Sequence, residues 1–190
     1  MSQPRVALYT FGVFRLPSDD RANRGFHARN DLNFEAVEAS EGFVARSGYA
    51  DEPGPASWGA EAYPRFYEER GDGYSPATLS LWVDLESPMA FSYAGIHADA
   101  LRNGRDWFVK PEWPPYAVWW VDGDHVPDWT EAVERHDHLH RHGPTPRVFD
   151  FKNAFDAGGS PLRIDHARMK EFVRTNVARQ AANWQMARYL

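Results

Sequence analysis

Histidines are the densest group of chemically capable side chains in this sequence, because His136, His138, His140 and His142 occupy alternate positions. On a helix, residues four apart share a face, so two imidazoles of this run can bind one metal ion. Histidines in a last turn also interact favourably with the negative helix end, and no His-Glu-x-x-His pattern is present. We therefore expect no metal. His136 falls in an apolar stripe with Trp129, and we expect it to face inward and contact substrate.

His97 is the second candidate, because it follows Tyr93 on a predicted helix directly after a strand that contains Trp82. A buried neutral imidazole among aromatic rings can serve as a general base or bind a ligand oxygen; the alternative is a purely structural histidine. The hydroxyls of Tyr93 and Thr10 can donate hydrogen bonds to the same ligand. Tyr9 precedes Thr10 on a strand, so only one of the two faces a given side.

Most other catalytic motifs are missing. The sequence has no cysteine, no Gly-rich phosphate loop and no Gly-x-Ser-x-Gly motif, which argues against thiol or serine nucleophiles, disulfides and nucleotide-driven chemistry. Its 21 basic and 27 acidic residues give a net charge of -6, the wrong sign for nucleic-acid binding. The longest apolar run, 116–121, is too short to span a bilayer. We expect a cytoplasmic protein without nucleic-acid or membrane partners.

Aromatic side chains make up 15% of the chain, with 8 Trp, 8 Tyr and 12 Phe. Such side chains fill a core, and they also line pockets for planar organic ligands because rings stack on rings. Trp119 and Trp120 are adjacent on a predicted strand, so only one of them can enter a pocket. Composition alone leaves both uses open.

The secondary-structure pattern determines where these candidates lie. Alternating apolar residues predict strands, helical periodicity predicts helices, and Pro and Gly mark the connections. The Pro- and Gly-rich segment 49–77 contains two aromatic clusters, which favours an ordered loop such as a lid. In chain order, the pattern predicts strand 6–16, helix 22–40, strand 43–48, the 49–77 loop, strand 78–84, helix 87–108 with Ser87 as N-cap, strand 116–121, helix 128–142 capped by Asp128, strand 148–151 and an amphipathic helix at 165–190.

This order fits an α+β fold with an antiparallel sheet and helices on one face, and two such halves make a ferredoxin-like unit. Residues 1–157 are expected to form this domain, with the 49–77 loop as an insertion. Residues 158–190 are expected to form a linker and a C-terminal helix. That helix is expected to dock on the body or on a partner subunit.

Several segments taken together resemble a known bacterial family, the domain of unknown function 3291. The resemblance runs from about residue 6 to 157. The family that it indicates belongs to the dimeric α+β barrel superfamily and is similar to the antibiotic-biosynthesis monooxygenases. The segments that carry it are 8–11, 19–20, 42–43, 79–93, 105–108, 119–120 and 142–145, with His97 and His125.

The resemblance implies a ferredoxin-like protomer whose sheet pairs with a second copy to close a barrel, with a pocket between sheet and helices. Trp82, Tyr93 and His97 match positions where such relatives place pocket residues. Thr10 stands where the first strand of relatives commonly has asparagine. The haem-degrading relatives bind iron through a later histidine, and the matching stretch 101–104 has none, so we expect no cofactor, with haem as the alternative.

These observations favour a small homodimeric enzyme that binds a planar aromatic substrate and oxygenates it without a cofactor. His97 would accept the phenolic proton, and Tyr93 and Thr10 would hydrogen-bond the enolate. A non-redox cyclase or isomerase using the same pocket, and a haem or small-ligand carrier, are the alternatives. The residues expected to stack on the substrate are Phe34, Trp82 and one of Trp119 and Trp120.

Overall fold

The computed structural model describes residues 2–70 and 75–181 of the 190-residue chain. This part of the chain has an α+β fold with one four-stranded antiparallel sheet, as the sequence predicts. None of its helices is long and apolar enough to cross a membrane. The elements are β1 (Arg5–Phe11), α1 (Arg24–Glu38), β2 (Phe43–Arg46), α2 (Arg65–Arg70), β3 (Ala77–Trp82), α3 (Glu86–Ser92), α4 (Gly95–Trp107), β4 (Tyr116–Val121), α5 (Trp129–His142) and α6 (His166–Arg179). The expectation of helices on one face is wrong, because α5 packs on the face opposite to the other sheet-covering helices.

The strand order in the sheet is β2-β3-β1-β4, with every neighbouring pair antiparallel. β1 is central, and Tyr9 lies opposite Leu79 on β3 and Ala117 on β4. Because side chains alternate along a strand, β1 sends Tyr9 to one face of the sheet and Thr10 to the other. This register decides which candidate residues can meet.

The first face of the sheet carries Val6, Leu8 and Trp82 and packs against α1, α3 and α4. Ala36 and Val37 of α1 and Ile96 of α4 are almost fully buried there, so these helices are fixed to the sheet by their apolar faces. The later residues Phe149, Phe151 and Ala154 extend the same core.

The second face carries Ala7, Tyr9 and Phe11 and is covered by α5 and the segment 49–67. α5 contributes a buried stripe of Trp129, Ala132, His136 and Leu139, which recurs at helical spacing. Its ends match the sequence prediction, because Asp128 caps the first turn and Gly143 (φ 71°) ends the last one. Both faces of the sheet are thus covered within one chain. The aromatic side chains that the 49–67 segment adds to this core are Tyr49, Trp58, Tyr63, Phe66 and Tyr67.

The helix predicted at 87–108 is interrupted, and this prediction is wrong in detail. α3 ends at Ser92 and α4 begins at Gly95, whose φ of 54° is disfavoured for residues with a side chain. The predicted N-cap role of Ser87 is also wrong, because Ser87 is the second residue of α3, and its backbone N–H and its hydroxyl both donate to the carboxylate of Asp84. Leu101, an apolar residue of α4, is 51% exposed, because the break changes which face of α4 is buried.

Other boundaries also differ from the sequence expectation: β2 and β3 each end two residues earlier than predicted, and α2 lies inside the segment 49–77 that is expected to be a loop. The first strand ends at Phe11, because Val13 and Phe14 turn toward the end of α4. The segment 148–151 contributes two isolated bridged pairs, Phe149 with Val118 and Val148 with Thr145, instead of a strand. The C-terminal helix covers His166–Arg179 and packs on α3, so it docks on the body; residues 182–190 of the prediction lie outside the described residues.

Candidate functional site

A buried histidine on the second face of the sheet is the centre of the candidate site. His136 lies on the α5 stripe three residues before Leu139, and its side chain is 0% exposed. The stripe faces β1, so the imidazole packs edge-on against the Tyr9 ring at 5.7 Å and the Phe11 ring at 6.0 Å between ring centroids. The inward orientation predicted for His136 is therefore observed.

One nitrogen of His136 has a fixed partner. The His136 Nε2 lies 2.7 Å from the carbonyl oxygen of Pro114, and because a carbonyl only accepts, Nε2 carries the proton. Burial lowers the pKa of His136, and the hydrogen bond to Pro114 only partly opposes this. The imidazole is therefore neutral at pH 7, with Nδ1 unprotonated and able to accept a proton.

Three buried polar atoms of this region have no hydrogen-bond partner among the residues that the structure describes. They are Nδ1 of His136, the hydroxyl of Tyr9 and Nε1 of Trp113. A buried polar group without a partner costs roughly 1–3 kcal/mol, and such groups are rare in folded proteins. Their occurrence in one aromatic cluster makes this cluster the candidate functional site. We call Tyr9, Trp113 and His136 the buried polar cluster.

Aromatic rings enclose the buried polar cluster. Phe66 stacks on Trp113 with centroids 4.7 Å apart, and Phe66 also packs edge-on against His136 at 6.2 Å. Phe11 contacts both Trp113 (5.8 Å) and His136. Because these rings exclude water from the cluster, the local dielectric constant is low. Hydrogen bonds and charge interactions inside the cluster are therefore stronger than in water.

The segment 49–67 closes the cluster from outside. Tyr49 stacks on Trp129 at 5.8 Å, and Trp129 packs edge-on against Tyr9 at 6.4 Å. Burial raises the pKa of Tyr9 well above its ordinary value, with smaller contributions from Tyr63 and Tyr49. Tyr9 is therefore a neutral hydroxyl that can donate and accept, not a base.

His97, the residue predicted as the catalytic base, lies on the first face of the sheet. Its Nδ1 donates to the carbonyl oxygen of Ser92 at 2.9 Å, and its ring packs at 4.7 Å from Phe91, which in turn stacks on Trp82. Burial lowers the pKa of His97, so it is also neutral, with Nε2 as the acceptor. His97 and His136 belong to the two different cores, on opposite faces of the sheet.

The two predicted hydroxyl donors lie on the first face but apart from His97. Tyr93 is 53% exposed and shares a hydrogen bond with Tyr116, so it is a surface residue. Thr10 is hydrogen-bonded to Thr78 at 2.6 Å between the two hydroxyl oxygens. In the sheet, Thr10 is paired with Tyr116. It lies four residues along β1 from Val6, which is paired with the Trp82 that stacks on Phe91.

The predicted stacking residues are divided between the two faces. Trp82 is 0% exposed and bonded to Ser80 through its indole nitrogen, and Trp120 donates to the carbonyl of Phe155 at 2.7 Å. Phe34 packs at the sheet edge, with the Arg46 guanidinium 4.0 Å from its ring centre. Trp119 is buried on the second face and bonded to Glu131. Of the predicted substrate-binding residues, only Trp119 and His136 therefore lie on the second face of the sheet, with Trp119 on β4 and His136 on α5.

Sequence reasoning missed Trp113 and set aside Tyr9. Trp113 lies in a Pro-rich connection without periodicity, so no local pattern marks its side chain as inward-facing. Tyr9 is identified by register alone, since it shares a face with Leu79 and Ala117 under α5. Only the placement of α5 on this face, a tertiary feature, joins it to His136.

We next consider whether the histidines could bind a metal ion or haem. Within residues 2–70 and 75–181, no group of three or more His, Asp or Glu side chains converges as a metal site. His138 and His142 are neighbours, with ring centroids 4.5 Å apart. A haem ligand needs a hollow as wide as a porphyrin beside its imidazole, whereas His97 and His136 are each packed against aromatic rings. The residues present do not fit haem.

These features define an α+β protein whose single sheet carries a histidine, tyrosine and tryptophan cluster beneath one helix. The model of the family described as Domain of unknown function (DUF3291) matches residues 5–167, and the chain belongs to this family. All three residues of the buried polar cluster lie in the matched region. No curated protein and no solved structure matches the chain.

Proposed function

We propose that this protein is an enzyme that deprotonates a planar phenolic or enolic substrate with His136 as the general base, and that the deprotonated substrate reacts with dioxygen without a cofactor. The observation that carries this proposal is the unprotonated, unpartnered Nδ1 of His136 in the same enclosed cluster as the unpartnered groups of Tyr9 and Trp113. A neutral, oriented imidazole is the usual arrangement of a general base.

The chemical steps balance with dioxygen as the only co-reactant. Nδ1 of His136 takes the hydroxyl proton of a phenol or enol, such as the enol tautomer of an anthrone, and the resulting anion, which shares its negative charge with a ring carbon that bears hydrogen, passes one electron to dioxygen. The two radicals combine at that carbon as a peroxide anion, which takes the proton back from His136 and becomes a hydroperoxide; loss of water then leaves a new carbonyl group, so that, counted on the keto tautomer, CH₂ and O₂ become C=O and H₂O. The hydroxyl of Tyr9 and the Nε1–H of Trp113 would stabilise the developing negative charge on oxygen.

Substrate access would require the segment 49–67 to move. The space between Tyr49, Tyr63 and Trp129 is too narrow to admit a water-sized molecule. Aromatic packing, rather than a continuous backbone ladder, holds most of this segment on the core. Long connections of this kind often act as lids over active sites.

The predicted ferredoxin-like protomer and the homodimer belong to the same proposal. The element order β1-α1-β2-α2-β3-α3-α4-β4 is a βαββαβ order with two added short helices, and together with the strand order of the sheet it supports a ferredoxin-like arrangement. Because α5 and the 49–67 segment cover the second face, a barrel between two sheets would require them to be displaced. A homodimer that leaves these elements in place would use the outer surfaces of the helices or the edge strand β2.

Oxygen uptake with a panel of anthrone-like phenols tests the proposal. We expect oxygen consumption that depends on the protein and yields the quinone product, with no added flavin, nicotinamide or metal. Equal turnover without oxygen would instead establish the alternative of a cyclase or isomerase with the same base. Absence of turnover under both conditions, with ligand binding intact, would exclude the enzymatic proposal for this substrate class.

A further inference from the structure

A second, separate site lies on the surface where β4 begins. A cleft of about 290 Å³ opens there between the end of α5 and the loop that follows. This volume is close to the lower limit of pockets that bind small organic molecules. The walls are mostly apolar and include three rigid proline rings; the lining residues are Pro114, Pro115, Tyr116, Leu139, Pro144 and Asp150.

Asp150 is the one charged residue in this lining. Its carboxylate accepts hydrogen bonds from the backbone and side chain of Asn153, at 2.8 and 3.0 Å, which fix its orientation. Among the ion pairs of the described residues, none involves Asp150, so its negative charge has no cationic neighbour in contact. A fixed, uncompensated carboxylate beside apolar walls favours a cationic ligand.

Tyr116 contributes the aromatic wall of the cleft. Its hydroxyl is engaged with Tyr93 and with the backbone of Phe151. Burial raises the pKa of Tyr116, with a further contribution from Tyr93, so the side chain stays neutral. A neutral phenol ring with its hydroxyl already engaged can present its face to a cation, which the negative face of an aromatic ring attracts.

We propose that this cleft binds a small organic ammonium ion that carries an apolar ring or short chain. The ammonium group would pair with the Asp150 carboxylate and contact the Tyr116 ring, and the apolar part would pack on the prolines and Leu139. The net charge of the chain, -6, favours the approach of cations. The cleft is distinct from the buried polar cluster, since none of Tyr9, Trp113 and His136 lines it. Pro114 links the two, because it lines the cleft and its carbonyl oxygen accepts the hydrogen bond from Nε2 of His136.

Titration of the full-length protein with benzylammonium, followed by amide chemical shifts, tests this site. We expect saturable shifts at Tyr116, Leu139 and Asp150, and weaker binding as salt is added. The isosteric benzyl alcohol should bind at least about fivefold more weakly, and benzoate should not bind there, because each lacks the cation. Equal binding of benzyl alcohol, or shifts confined to other parts of the protein, would overturn the proposal.

A pair of aspartate variants isolates the contribution of the charge. Asp150→Asn should weaken benzylammonium binding about tenfold, since it removes the carboxylate charge and keeps an amide oxygen for Asn153. Asp156→Asn is the matched control, because Asp156 also accepts a loop N–H, from Ser160 at 2.8 Å, but does not line the cleft. Tyr116→Leu should also weaken binding through loss of the ring face. Unchanged affinity in Asp150→Asn, with a native amide spectrum, would contradict the proposal.

Discussion

The Nε2–H of His136 donates to the backbone carbonyl of Pro114 across 2.7 Å, and this one contact decides the chemistry of the buried imidazole. It selects the tautomer in which Nδ1 is free of its proton, and it holds the ring against Tyr9. The partner is a backbone atom, so the bond depends on the path of the chain at 114 and not on a side-chain type.

Two histidine variants compare the proposed bases. His136→Gln keeps an N–H that can reach Pro114 and removes the base, and we expect a loss of turnover of roughly 100-fold or more. His97→Asn keeps an N–H that can reach Ser92 and should leave turnover within about threefold. Turnover on the phenol panel, measured for both variants, distinguishes them. The reverse result would place the base at His97, as the sequence alone predicts.

Removal of the Tyr9 hydroxyl should separate stability from function. Tyr9→Phe deletes a buried group without a partner, so we expect the free energy of unfolding to rise by about 1 kcal/mol while turnover falls. Tyr49→Phe is the control, since the Tyr49 hydroxyl donates to the carbonyl of Ala77 at 2.6 Å. Its loss should lower stability by about 1 kcal/mol. Urea unfolding measures both; a Tyr9→Phe protein less stable than Tyr49→Phe would show that the Tyr9 hydroxyl is satisfied.

Buried neutral histidines should make the fold sensitive to acid. Burial lowers the pKa of both His97 and His136 below the ordinary value of 6.5, so the unfolded chain binds protons that the folded chain does not. Their contribution to stability is present above pH 6.5 and is lost as the pH falls from there toward the folded-state values. Urea unfolding as a function of pH should show a smaller loss for His136→Gln than for the native chain. Parallel curves for the two proteins would refute a lowered pKa of His136.

The break between α3 and α4 predicts opposite effects for two glycines of one helix. At Gly95, φ is 54° and an added Cβ would lie 1.9 Å from Oε1 of Gln180, which accepts the N–H of Ile96. We expect Gly95→Ala to destabilise the protein by about 2 kcal/mol. Gly104→Ala meets only an ordinary contact with Phe108 and should stabilise by up to about 1 kcal/mol. Thermal unfolding that ranks the two variants the other way would show that α6 does not hold this junction.

The sequence alone predicts the bounds of a helix or strand correctly where a single residue type starts or ends the element. β4 and α5 match their predicted bounds, because Asp128 caps the helix, Gly143 terminates it and the 116–121 run is a continuous apolar strand. The break at Gly95 has no such local signal. The apolar spacing continues across it, and the left-handed conformation is supported by Gln180, a contact across 84 positions.

The candidate site, too, could be predicted only in part, because some of its contacts join residues that are distant in sequence. The inward direction of His136 follows from its own helical stripe, whereas its neighbour Tyr9 requires the register of β1 and the docking of α5 on that face. His97 was expected beside the substrate because its helix follows the Trp82 strand, and it does lie near Trp82 through Phe91. The face of the sheet on which a helix packs is not encoded in its own periodicity, so the two histidines could not be separated before the fold was known.

Nitrogen-15 NMR of the histidine side chains examines the proposed base without knowledge of the natural substrate. In protein labelled at the histidine nitrogens, we expect His136 to show a protonated Nε2 and an unprotonated Nδ1 at neutral pH. Addition of 2-naphthol, a planar phenol, should shift the Nδ1 signal as it accepts the hydroxyl proton or a hydrogen bond from it. A His136 protonated at Nδ1, or an Nδ1 signal that does not respond to any planar phenol while His97 does, would contradict the assignment of His136 as the base.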